Sequence, residues 1–280
     1  MAIAAVTVER TDSPIDALAA AGPHLATDPV RHNLVLTLLQ SRAAHPEPGR
    51  YWVVRDGDRP AGLVLQSPLE FAATATPMTA AAIAAAVDAI AAAGVRLPGV
   101  TGEALTAARF AGQWTERTGT GAWPIQGQRI YEVDEVVAAP APGGRERLAT
   151  EEDLELVVRW FTAFGDEIGD RRGDLAPLVA RRLGAGHLWL WEHDGPATLA
   201  AVSDPVEGVA RIGPVFTPPD RRGRGYGSAL VGALSAAVRE RGTRCILYTD
   251  LGNPTANAVY RRLGYRAVAE ALRYRFDQPT

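Results

Sequence analysis

Apolar residues fall into short runs, and two stretches of the chain arrange those runs on one plan. Tyr51 to Gln66 reads YWVVRDGDRPAGLVLQ and His187 to Val202 reads HLWLWEHDGPATLAAV. Each is a Trp-bearing apolar strand, a turn with Asp-Gly, a proline and a second apolar strand, which is the pattern of a β-hairpin. Each then continues toward an Ala-rich helix. In the first half that helix is TAAAIAAAVDAIAAAG, from Thr79 to Gly94. A threonine caps its start and a glycine closes its end. At a bilayer depth that takes roughly 20 apolar residues it is too short to span, and Asp88 interrupts it.

The second half reads further. Thr150 caps a helix running through LELVVRWFTAFG, with Asp153 three residues on as a variant of the capping box. A short helix, LAPLVARRLGAG, follows. Strands are expected at about 187–193, 197–203 and 209–217, and a helix from about 224 to 241 with Leu230, Val231, Leu234 and Val238 on one face. RCILYTD is the next strand. NPTANAVYRRLG is a helix with Asn253 as cap, Pro254 at its first position and Gly264 past its end. A final pair of strands reaches Phe276. The predicted class is α/β (α+β): two like units, each a mixed, mostly antiparallel sheet covered by helices. The clearest linker is AAPAPGG, Ala138 to Gly144, so the units are placed at 1–137 and 145–280.

Composition narrows the function without naming it. The chain has 280 residues, 47% of them hydrophobic, and a net charge of −3. A general nucleic-acid binder would carry a basic face instead. No signal peptide is evident. Cys245 is the single cysteine, set in an apparent buried strand, so a reducing, cytoplasmic setting is expected. The five histidines show no metal-ligand spacing, and no metal is assigned.

One corner concentrates unusual chemistry: GPVFTPPDRRGRGYGSALV, Gly213 to Val231. Gly223, Gly225 and Gly227 alternate at the start of a helix, where the first backbone N–H groups have no helical partner and the dipole favours an anion. Arg221, Arg222 and Arg224 add fixed charge suited to phosphate. Neither the dinucleotide fingerprint nor the Walker loop fits the spacing. Just upstream, Gly213-Pro214 interrupts a strand and predicts a bulge. That bulge would free the N–H groups of Val215 and Thr217 for a long ligand with phosphates at one end and amides along its arm, which describes coenzyme A.

With NPTANAVYRRLGYR, this corner resembles the GNAT superfamily of acetyl-CoA-dependent N-acetyltransferases over about 145–280. Arg222, Gly225 and Gly227 match the family's R/Q-x-x-G-x-G/A loop; Asn253, Ala256, Tyr260 and Leu263-Gly264-Tyr265 match its second signature. The first half has neither motif, so the resemblance is to a tandem GNAT protein whose first unit has lost the cofactor loop. It implies acetyl-CoA held by Val215, Phe216 and Thr217, by Arg222, Gly223, Arg224, Gly225, Tyr226, Gly227 and Ser228, and by Asn253, Asn257 and Tyr260. It implies a small-molecule or peptide amine as acceptor; the charge balance and the short apolar stretches argue for neither nucleic acid nor membrane as partner. Tyr260 is the expected general acid toward the leaving thiolate, and the Val215 N–H the expected oxyanion donor. The base stays open among Asp166, Glu167, Asp204, Glu207, Asp250 and water. Trp160, Phe161 and Phe164 are either an acceptor wall or core. A non-catalytic acyl-CoA sensor or a scaffold is the rival function.

Overall fold

The computed structural model describes residues 5–139, 142–169 and 173–277. In chain order the elements are β1 (Val6–Thr11), α1 (Pro14–Leu25), α2 (Asn33–Ala44), β2 (Arg50–Asp56), β3 (Arg59–Gln66), β4 (Ala73–Ala75), α3 (Ala80–Ala92), β5 (Gly99–Glu103), α4 (Ala104–Thr118) and β6 (Ala122–Val133). They continue as β7 (Arg145–Leu148), α5 (Leu154–Ile168), α6 (Ala176–Gly184), β8 (Leu188–Glu192), β9 (Pro196–Val202), β10 (Val209–Phe216), α7 (Tyr226–Glu240), β11 (Arg244–Asp250), α8 (Pro254–Arg262) and β12 (Arg266–Phe276). The run β2-β3-β4-α3-β5-α4 and the run β8-β9-β10-α7-β11-α8 have the same order, as the paired hairpins suggested. Residues 140 and 141 of the predicted linker lie outside the described residues.

The chain divides into two compact units, but not as contiguous halves. The first comprises Met1–Ile130 with Asp250–Gly252 and Ala267–Thr280; the second comprises Tyr131–Thr249 with Asn253–Arg266. A split into 1–137 and 145–280 therefore differs in three places: the second unit begins at Tyr131, and both Asp250–Gly252 and the C-terminal strand belong to the first unit. There β12 pairs antiparallel with β5, from Ala271 opposite Glu103 to Arg275 opposite Gly99. The "final pair of strands" is also one strand of 11 residues. Its sequence, RAVAEALRYRF, holds no glycine, proline or asparagine to make a turn.

In the first unit the strands run β1-β2-β3-β4-β5-β12, antiparallel except for β4 beside β5. The alternate positions Trp52, Val54, Val64, Val100 and Phe276 enter one core with Ile83, Val87 and Ile90 of α3 and Phe110 and Trp114 of α4. Trp114 stacks between Phe110 and Phe276, with ring centroids 6.2 and 5.5 Å apart.

In the second unit the order is β7-β8-β9-β10-β11, antiparallel except for β10 beside β11. The β8–β9 turn bears positive φ at Asp194 and Gly195 (50° and 93°), as a tight hairpin requires. α7 lays Leu230, Leu234 and Val238 on one face of this sheet, with Leu247 and Tyr260. Each such buried aliphatic side chain contributes roughly 1.5–3 kcal/mol. The opposite face carries Leu188, Leu190, Leu199 and Phe216 against Val157, Trp160 and Phe161 of α5. Trp160 and Phe161 are thus core residues, 9% and 7% exposed, and Phe164 packs partly buried against the same cluster. Cys245 is buried on β11, and burial pushes its thiol pKa up, which suits packing.

The capping box at Thr150 forms as the sequence suggests: the Thr150 N–H donates to Asp153 Oδ2 at 2.8 Å. Asp153 also accepts two bonds from Arg147 of β7, at 2.7 and 2.9 Å. Those bonds from Arg147 hold the carboxyl pKa below its ordinary value against the opposing effect of burial, with Thr150 helping. A depressed folded-state pKa means stabilisation that is complete above the unfolded value near 3.9 and fades as pH falls through the folded one. Asp153→Asn is expected to cost roughly 2 kcal/mol at neutral pH, as lost bonds between charged groups. Thermal melts should show the gap to the parent protein narrowing below about pH 4; a gap that is constant with pH would contradict this assignment.

Candidate cofactor site

β10 parts from β11 halfway along its length. The two pair in parallel from Val209 opposite Arg244 to Ile212 opposite Leu247, and the pairing ends there. On its other side β10 stays attached to β9: after a register shift, Val215 faces Ala200 and Phe216 faces Leu199. The break falls at Gly213, with φ of 146°, and Pro214, which has no N–H to give. This is the predicted bulge. Thr198 of β9, fully buried, donates from Oγ1 to the Phe216 carbonyl at 2.8 Å and shares a 2.7 Å hydrogen bond with the Thr217 hydroxyl. Phe216 therefore turns its peptide groups toward β9. Alternation along a strand then turns the Val215 N–H toward the edge that β11 has left.

The chain leaves this edge through a turn at Pro219–Arg221 and enters α7 over Gly223 and Gly225, whose φ values are 75° and 83°. Only glycine takes such values freely. The first bond of the helix runs from Ala229 N to Gly225 O, 2.9 Å. Among the described residues, none accepts a hydrogen bond from the backbone N–H groups of Gly223, Arg224, Gly225, Tyr226, Gly227 and Ser228. A β-carbon at Gly227 would stand 3.3 Å from Thr217 Oγ1, so a bare residue there lets helix and strand close up. Tyr226 is pinned by a 2.7 Å bond between its hydroxyl and His193 Nδ1, at the β8–β9 turn.

The arginines are not equivalent. Arg222 lies on the surface and bonds to the protein's own groups: Nε donates to the Thr217 carbonyl at 2.8 Å, Nη2 pairs with Glu167, and the group lies over the Phe216 ring. It fastens the loop rather than standing open. Among the described residues, the Arg224 guanidinium makes a single hydrogen bond, to the Asp220 carbonyl at 3.2 Å, and Arg221 reaches the Asp194 carbonyl at 3.2 Å. Of the carboxylates considered as a base, Glu167 is engaged by Arg222, Asp204 lies 3.0 Å from His187, and Asp250 accepts from the Gly252 N–H at 2.6 Å. Glu207 sits in a turn with φ of 49°, and Asp166 in the last turn of α5. No cluster of three His, Cys, Asp or Glu side chains that could hold a metal occurs among the described residues.

α8 supplies the remaining candidates. Asn253 caps it, Oδ1 accepting from Ala256 N at 2.9 Å. Asn257, expected on the cofactor, is buried and bonded within the protein: its oxygen accepts from the Tyr131 hydroxyl at 3.0 Å and its nitrogen donates to the Asn253 carbonyl at 2.7 Å. Tyr260 is 9% exposed and its ring lies against Tyr131 and Tyr265, centroids 6.4 and 6.0 Å away. Burial pushes its pKa up to about 12. Its hydroxyl forms no hydrogen bond with any described residue. Tyr131 and Thr198 were not singled out in the sequence. Thr198 left one faint trace, a lone hydroxyl inside the apolar run ATLAAV.

The corresponding corner of the first unit is shut. β4 pairs with β5 along its whole length, from Ala73 opposite Val100 to Ala75 opposite Gly102. Residues 76–79 alone separate it from α3, and the Thr79 hydroxyl takes the Ala82 N–H at 3.2 Å. The Met78 side chain fills the space over Gly62.

Residues 199–274 match the family model described as FR47-like protein. Over 116 residues, 41% of this chain and 30% of the relative, the chain is 34% identical to a mycothiol acetyltransferase of Cellulomonas flavigena. It thus spans under a third of that relative's length. Among solved structures, a GNAT-family acetyltransferase from Colwellia psychrerythraea superposes with a TM-score of 0.63 at 12% identity, covering 97% of this chain and 100% of that one. A tandem GNAT protein from the clavulanic acid biosynthesis pathway superposes at 0.58 with 16% identity, covering 99% and 100%. The fold is the GNAT fold in its tandem form.

Proposed function

We propose that this tandem GNAT-fold chain is an acetyl-CoA-dependent N-acetyltransferase whose second unit holds the working site. The observation that carries the reading is the meeting of two open backbone surfaces: unengaged amides from Gly223 to Ser228 and, beside them, the edge of β10 beyond Ile212. The amides and the positive end of α7 suit a pyrophosphate. The strand edge suits an amide-bearing arm such as pantetheine, which can bond to it as a neighbouring strand does. Bound acetyl-CoA supplies the activated acetyl thioester.

The chain's own groups then divide the work. The Val215 N–H, aimed at the open edge, stabilises negative charge as it develops on the thioester oxygen when a neutral amine attacks. Tyr260 keeps its proton at neutral pH because burial disfavours the phenolate, and it gives that proton to the departing sulfur, while the proton that the attacking nitrogen sheds passes to water and water restores the phenol. No covalent enzyme intermediate is required.

Two measurements test this. Calorimetry is expected to show one acetyl-CoA per chain, because the corner of the first unit is closed by paired strands, a capped helix and Met78. Arg224→Ala, which removes the loop's least engaged guanidinium, should weaken binding about tenfold at low salt and less at high salt. Incubation with acetyl-CoA and a panel of amines should release free thiol. Binding without thiol release against any amine would make the protein an acyl-CoA sensor, and no heat at all would end the proposal.

A further inference from the structure

We propose that Tyr131 and Asn257 are positioning residues that set where the Tyr260 hydroxyl stands; the inference rests on the reading of Tyr260 as proton donor. A group that must protonate one sulfur atom has to be aimed, since a misplacement of about 1 Å can cost a hundredfold in rate. The Tyr260 hydroxyl has no hydrogen bond to any described residue, so no direct bond does the aiming. It must come from the ring's neighbours and from the placement of α8.

α8 is a helix of 9 residues on which Asn257 and Tyr260 are the buried members. Tyr131 touches both. Its hydroxyl donates to Asn257 Oδ1 at 3.0 Å, and its ring tilts at 59° against the Tyr260 ring. Tyr131 and Asn257 are 1% and 4% exposed, so water does not readily substitute for this bond. The Asn257 nitrogen is tied back to the Asn253 carbonyl at the start of the helix. One tyrosine on β6 thereby fixes both the rotation of α8 and the stop against which Tyr260 rests. Asn257 acts here through the helix, with its oxygen and nitrogen both committed to the protein.

The test uses Tyr131→Phe, which keeps the ring and removes the bond, with an accepted amine as substrate. Turnover should fall about tenfold, while the calorimetric Kd for acetyl-CoA stays within about twofold. In a Tyr260→Phe background the same change should have little further effect on turnover, because its route is lost. A weakened Kd in Asn257→Ser, independent of Tyr131→Phe, would make Asn257 a cofactor ligand and overturn the inference. So would unchanged turnover in Tyr131→Phe, or an equal further loss in the Tyr260→Phe background. If Tyr131→Phe does not fold, Asn257→Ser removes the same bond from its other end and is judged by the same turnover and Kd criteria. Unchanged turnover in Tyr260→Phe itself would instead remove the proton-donor reading, and this inference with it.

Discussion

Tyr260→Phe is expected to lower turnover about a hundredfold or more and to leave acetyl-CoA affinity within about twofold of the parent. The asymmetry follows from what the hydroxyl does in the free protein. The ring is held by Tyr131 and Tyr265, and phenylalanine fills the same space. The hydroxyl bonds no described residue, so its removal strands no buried partner, and melting should change little. Only the chemical step loses a group. A phenol with pKa near 12 looks a poor donor to a thiolate whose ordinary pKa is roughly 8.5. The mismatch narrows at the moment of transfer, because a sulfur anion leaving inside the same buried site is also poorly solvated and its basicity rises. The sign of the pH dependence follows. The protonated form is the active one and burial moves its loss upward, so Tyr260 should impose no fall in turnover between about pH 7 and 10. Stopped-time thiol release across that range, for both proteins, checks it. A variant with parent-like turnover would remove Tyr260 from the reaction.

Much of this site was legible because its chemistry is local. Gly213-Pro214 predicted a broken strand, alternating glycines predicted exposed amides, and Asn253 with Pro254 predicted where α8 starts; each effect acts within a few residues. What escaped is what depends on distant partners. Asn257 lies on the expected helix edge, but its partner Tyr131 is 126 positions away, and nothing in NPTANAVY marks an amide already committed. Arg222 sits in the phosphate motif, yet Glu167, from another helix, takes its guanidinium. β12 was legible as strand but not as a member of the first unit, because which edge a strand joins is set by the edges left open elsewhere. β7, RERL, is not legible as a strand because its polar residues give no apolar pattern; pairing with β8 makes it one.

The second large effect is expected at Gly225. Its φ and ψ of 83° and 0° place it in the left-handed region at the cap of α7, and its carbonyl receives the first helical bond, from Ala229. A β-branched residue resists that conformation by roughly 1–2 kcal/mol. Gly225→Val can relieve the strain by rotating the cap toward extended backbone, which swings the amides of Gly225 and Tyr226 away from their common direction. It also sets a branched side chain beside the cradle. Acetyl-CoA affinity should fall at least about a hundredfold, the loss of two or more bonds to a charged group. Strain alone must be separated from lost amides, and the same helix supplies the control. Gly242, past the C-terminal end of α7, has φ of 74°, and a β-carbon there would meet nothing within 4 Å. Gly242→Val therefore carries similar backbone strain at the end remote from the amides. Both variants should melt a few degrees lower; only Gly225→Val should lose binding by calorimetry. Were the two to bind acetyl-CoA alike, the open amides at the head of α7 would not be what holds the pyrophosphate.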